Sequence, residues 1–240
     1  MNNWGFLIQT PEDKKYMRPL FSFVLEIFIE VFGENTMLME PCILFNDATA
    51  DCPMLIRNTT PIMIRTNAND LSYWAQFTYH LSHELTHYAI RQYKTDKATI
   101  IKWFEETICE AMSLYILRVS SQRWNQCALS SINLNYGNSL ETYWKSEYQN
   151  TEDSVLKKCQ SVHELELVEE TCEKNRKGRS IERNYLFDRF CEMPDSLAEF
   201  VYYPRYMRGD IRIDFGAWES NHKNSLLVPY LKSIQPEFTA

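Results

Sequence analysis

Two stretches, 71–93 and 97–121, restrict the fold of this chain most, because each sets ionisable side chains inside an apolar helical pattern. Leu71 to Ser82 contains neither Gly nor Pro, and Trp74, Phe77, Leu81, Leu85, Tyr88 and Ala89 recur closer to a 3.6-residue period than to alternation. The pattern predicts a helix over 71–93, with Asn69 or Asp70 as its N-cap after a polar turn at Thr66, Asn67 and Ala68. A second helix is expected over 97–121, after a turn at Thr95, Asp96 and Lys97. Glu105, Glu106 and Glu110 interrupt its apolar surface, and an unpaired buried carboxylate is costly enough to demand a partner.

The first helix contains the run His83-Glu84-Leu85-Thr86-His87. Helical residues four apart differ by about 40° around the axis, so both imidazoles point to one side and can share a zinc ion. The intervening Glu84 is then placed to take a proton from a bound water. Glu106 and Glu110 also lie four apart and share a face. A cation there would compensate both, one by coordination and the other by accepting the ring N–H of a ligand histidine. Glu105 is expected to be solvated, and His80 to be a packed histidine. With 5 His and 32 Asp plus Glu among 240 residues, chance alone yields an H-acid-x-x-H run in roughly one such chain in a hundred. His163-Glu164-Leu165-Glu166 begins in the same way but has Leu167 in place of the second histidine, and is expected to be solvated helix.

These residues resemble the gluzincins, zinc metallopeptidases that include thermolysin and the zinc aminopeptidases. Their signature is H-E-x-x-H, eighteen residues, then E. His83, Glu84 and His87 match the first part, and Glu106 falls at the required spacing within Trp103-Phe104-Glu105-Glu106, similar to the family's W-L-x-E phrase. The resemblance covers about residues 60–117. It implies a zincin-like fold, a zinc cofactor held by His83, His87 and Glu106, Glu84 as general base, and Glu110 as the acidic residue bonded to the first zinc histidine. It also implies a peptide or protein substrate whose amide bond is hydrolysed by zinc-bound water. In the family an edge strand before the metal helix pairs with the extended substrate. The candidate here is 61–66, an ordinary core strand being the alternative. The chain has no G-A-M-E-N phrase, which separates it from the large aminopeptidases. Tyr185, Tyr202, Tyr203, Tyr206, Arg179 and His222 are the candidates for a second oxyanion donor, with Tyr185 favoured because it opens an apolar helix.

Two further readings stay open. The zinc could serve a non-proteolytic binding or toxin-related module. Three protein ligands plus a glutamate base nevertheless suit catalysis better than a structural site, which usually takes four protein ligands. Peptide deformylases also carry H-E-x-x-H, with a cysteine ligand roughly forty residues upstream. Cys42 lies at about that distance, although Glu40-Pro41-Cys42-Ile43-Leu44 lacks the deformylase phrase E-G-C-L-S.

Six Gly and 45% hydrophobic residues suit a single mainly helical α+β domain. A small N-terminal mixed sheet should pack on the H-E-x-x-H helix, with 1–121 and a helical lobe, 122–240, flanking a cleft. The expected elements are a helix over 11–33, two or three strands between 36 and 66, and a polar connection over 122–138 ending in an Asn138/Glu141 capping pair. A charged helical stretch, 139–175, follows, broken at Lys177-Gly178-Arg179, then helices near 181–192, 195–203 and 223–233. The net charge of −7 comes with no basic stripe, so nucleic acid is not an expected partner. The apolar segment 17–32 is interrupted by Arg18, Pro19, Glu26 and Glu30, which fits neither a signal peptide nor a membrane span. Seven cysteines without a C-x-x-C pair point to the cytoplasm.

Overall fold

A computed structural model describes residues 3–8, 10–11, 13–94, 100–149, 151 and 154–238. The architecture is mainly helical α+β with one four-stranded mixed sheet. Two compact units divide the chain, Met1–Ala89 with Met112–Glu147, and Ile90–Ala111 with Tyr148–Ala240. The chain leaves the first unit after Ala89, enters the second and returns at Met112. Among the described residues, no helix is long and apolar enough to cross a membrane.

In the first unit, β1 (Trp4–Leu7), β2 (Cys42–Asn46), β3 (Met54–Ile56) and β4 (Ile62–Thr66) form a sheet in the order β1-β2-β4-β3. β1 and β4 flank β2 in parallel, and β3 runs antiparallel to β4. Ile62, Ile64 and Thr66 are buried and alternate with half-buried residues, as a strand with one face on a core requires. The expectation that 61–66 is an open edge is corrected, since both sides of β4 are hydrogen-bonded. The edge beside it is β3, one of the short strands expected between 36 and 66.

The crossover between β1 and β2 is α1 (Arg18–Phe32), whose Phe21, Val24, Leu25 and Phe28 are fully buried. Its end is set by Gly33, at φ 79, a conformation that costs a residue with a Cβ. A short helix, α2 (Glu34–Met37), follows, and the Trp4 indole N–H donates to the Met37 carbonyl. Trp4 also packs on Phe21 and Tyr88, each ring centroid 5.0 Å away. The next helix, α3 (Trp74–Arg91), is anchored to this layer by the Tyr88 hydroxyl, which donates to the Glu40 carbonyl at 2.7 Å. It begins later than expected because Asp70 serves a preceding turn, accepting from the Ser72 amide. The turn expected at 95–97 lies outside the described residues.

The long helix α4 (Lys102–Gln122) belongs to both units, with Met112 onward in the first. After two short 3-10 turns comes α5 (Tyr136–Gln149). It starts before the expected Asn138/Glu141 cap because Tyr136 is fixed by tertiary contacts. Its ring packs on Trp74 and Trp124, at 4.6 and 5.4 Å, and its hydroxyl accepts from the Ala75 amide. The neighbouring Gly137 is required by space, since a Cβ there would lie 2.9 Å from the Ser121 carbonyl oxygen.

In the second unit, Glu169 of α6 (Val162–Thr171) accepts from the Lys102 and Trp103 amides at 2.8 Å each, satisfying two otherwise orphaned donors at the start of α4. The charged stretch expected as one helix over 139–175 is instead divided. α5 ends at Gln149, and α6 begins anew with Ser161 as an N-cap that accepts from the Glu164 amide. His163 is 79% exposed on α6, as expected for solvated helix. The unit continues with α7 (Ser180–Glu192), a 3-10 segment (Pro194–Tyr206), α8 (Phe215–Asn221) and α9 (Val228–Ser233). α8 went unpredicted because its seven residues are too few to show a period.

Candidate metal centre

α3 places His83, Glu84 and His87 in its buried portion, each 4% exposed. The two imidazoles converge, with Nε2 of His83 and Nε2 of His87 3.2 Å apart. That separation can be set against coordination geometry. Two Zn–N bonds of 2.0–2.1 Å at a tetrahedral angle hold their nitrogens about 3.3 Å apart. The pair thus already has the span a shared divalent ion needs.

A third potential ligand comes from α4. Among the described residues, one group of three side chains can hold a metal ion, His83, His87 and Cys109, with ligating atoms all within 4.8 Å of one another. A tetrahedral ion with one Zn–N and one Zn–S bond of ordinary length separates those atoms by about 3.5 Å, the spacing a bound metal would impose on the thiol. Cys109 had no part in the sequence-based ligand set. Its signal was present, since Glu106 and Cys109 are three apart and share a face of α4, but the H-E-x-x-H…E pattern directs attention to the carboxylate. Glu106 itself is buried, at 9% exposure.

Arg57, just beyond β3, brings Nη2 to 3.5 Å from His87 Nδ1. A guanidinium can only donate, so this contact favours the tautomer in which His87 Nδ1 is the acceptor. The usual partner of a ligand imidazole's Nδ1–H is an acceptor rather than a cation. The Arg57 charge beside His87 would therefore work against a cation on the same ring.

The other acidic residues of α4 are buried within the second unit. Glu105, expected to be solvated, is 0% exposed. It pairs with the buried Lys94 amine at 3.2 Å and accepts a hydrogen bond from the Tyr203 hydroxyl. Burial and the adjacent carboxylate push the Tyr203 phenol well above its usual range. Glu110 accepts from Arg179 Nη2 at 3.0 Å, both side chains being wholly buried. The Arg179 guanidinium also donates to Thr107 Oγ1 and to the carbonyls of Cys172 and Asn175. Nearly all its donors are thereby committed, which removes Arg179 from the oxyanion candidates.

The remaining candidates are packed in the second unit. Tyr206 stacks on Trp218 at 5.3 Å, and His222 stacks on Tyr202 at 5.5 Å. Tyr185 lies 6.2 Å from Tyr230 and lines a cleft of its own. Cys42, the ligand expected of a deformylase, is buried in β2 and outside the ligating group. Desolvation pushes its thiol up to about 12, the opposite of what a metal-binding thiolate needs. His80, half-buried beside Tyr79, is likewise outside the group.

No protein-family model matches this chain, and no curated protein or solved structure shows significant similarity to it.

Proposed function

We propose that the chain is a zinc-dependent amide hydrolase, most simply a metallopeptidase, with its reacting centre at the His83/His87 pair. The observation that carries this reading is the 3.2 Å convergence of two buried Nε2 atoms on either side of Glu84 in the sequence. A divalent ion bound there supplies Lewis-acid polarisation of a carbonyl and makes water more acidic. His83 and His87 would hold it, with Glu106 or Cys109 of α4 as the third ligand. Glu84 would accept the proton of the attacking water and deliver it to the leaving amine. The resemblance to gluzincins supports Glu106. The proximity of the thiol supports Cys109 and thereby a second reading, a His₂Cys amidohydrolase acting on N-formyl peptides, with the cysteine downstream of the histidines rather than at Cys42.

Elemental analysis and Glu84→Gln test the proposal together. One equivalent of zinc should be retained by the variant, while hydrolysis of a peptide library falls by about 10²–10⁴-fold. Glu106→Gln and Cys109→Ser then separate the ligand sets, because the true third ligand is the one whose loss removes the metal. A wild-type protein that binds no divalent metal, or that loads zinc but cleaves neither free nor N-formylated peptides, would overturn the assignment.

A further inference from the structure

The second unit contains a cleft unrelated to the histidine pair. It encloses about 350 Å³ and is walled by Leu156, Ile181, Tyr185, Ile234 and Pro236, with Glu182 among its lining residues. That volume lies in the range of small-molecule sites, which are mostly apolar with few fixed polar groups. Glu182 supplies such a group. Its side chain is 3% exposed, Oε1 accepts from the Ser154 hydroxyl, and Oε2 is buried without a hydrogen-bond partner among the described residues. A desolvated carboxylate oxygen left in that state is costly. A partner bringing a cationic donor would relieve the cost.

We propose that this cleft binds a small organic ammonium ion with an apolar body. The ammonium would donate to Glu182 Oε2, and the hydrocarbon would lie against Leu156, Ile181 and Ile234. The Tyr185 ring, with Tyr230 beyond it, offers an aromatic wall suited to a cation-bearing aralkyl group. Arg189 covers the same two rings at 5.5 and 5.3 Å, which holds that wall in place. Lys157 also lines the cleft, but its side chain is exposed and makes no ion pair with Glu182 among the described contacts. The site needs no metal and stands whether or not the hydrolase reading does.

Titration by calorimetry or protein-detected NMR with phenethylammonium, and with the neutral isostere 2-phenylethanol, tests it. Phenethylammonium should bind at least about tenfold tighter than the alcohol. Glu182→Gln, which preserves the acceptor for Ser154, should abolish that preference while leaving circular dichroism unchanged. Ile181→Trp, which fills the cleft without touching the carboxylate, should block both ligands. If Glu182→Gln does not fold, the wild-type preference and the Ile181→Trp block decide together. Equal affinity for amine and alcohol, retention of the preference in Glu182→Gln, binding undiminished in Ile181→Trp, or no binding at millimolar concentration would each overturn the proposal.

Discussion

The cation beside His87 bears on how readily a metal would load there. The Arg57 guanidinium stands 3.5 Å from His87 Nδ1, where a metal-bound imidazole would present an N–H in need of an acceptor. Arg57→Ala should therefore tighten zinc binding by several-fold to about tenfold, the lower end of outer-shell effects on metal affinity, as read by competition with a chromophoric chelator. An unchanged or weakened affinity would show that the guanidinium does not compete with the metal. Buried thiols make a second prediction at this scale. Desolvation raises Cys42 and Cys172 from an ordinary 9.0 to about 12, and Cys127 to about 11. A raised folded-state value means the stabilisation is present below pH 9 and is lost as pH climbs toward 11–12, because the unfolded thiols ionise first. Unfolding free energy measured in denaturant should fall over that window, and Cys42→Ala should flatten the slope. The same three thiols should resist a disulfide reagent at about pH 8 in the native state and react once unfolded.

Helix α4 shows how far periodicity could be read. Its existence was legible from Lys102 to Leu117, a long run without Gly or Pro. Its surroundings were not, because it is buried nearly all round. Glu105, Glu106 and Glu110 are all buried, so no solvated stripe marks a face. Glu105 was misjudged for this reason, since its partners Lys94 and Tyr203 lie 11 residues before it and 98 after it. The Glu110–Arg179 pair is similar, joining residues 69 apart. Removing one partner of a buried pair typically costs about 3–5 kcal/mol, whereas neutralising both costs much less. Arg179→Met should therefore lower stability by about that amount in chemical denaturation, and adding Glu110→Gln should restore a large part. At the start of α5, Trp124→Ala should cost about 3–5 kcal/mol by emptying the space beside Trp74 and Tyr136.

For the whole molecule, a ligand that binds only the folded chain adds stability by mass action. Zinc at about a thousandfold its dissociation constant should contribute about 4 kcal/mol, and a chelator should remove it. A melting temperature indifferent to zinc and chelator alike would count against a metal on the histidine pair. The local pattern around residues 71–121 was enough to specify two helices, the placement of both imidazoles on one side, and a mainly helical α+β class. Those features rest on spacing along one element, where 100° per residue fixes direction. Tertiary structure alone decided that β3 rather than β4 is the open edge, that Cys109 joins the imidazoles, and that Arg57 faces His87. It also buried Glu105 and gave Glu182 a cleft. Each of these depends on contacts between residues distant in sequence, and no periodicity within a segment records what packs against it.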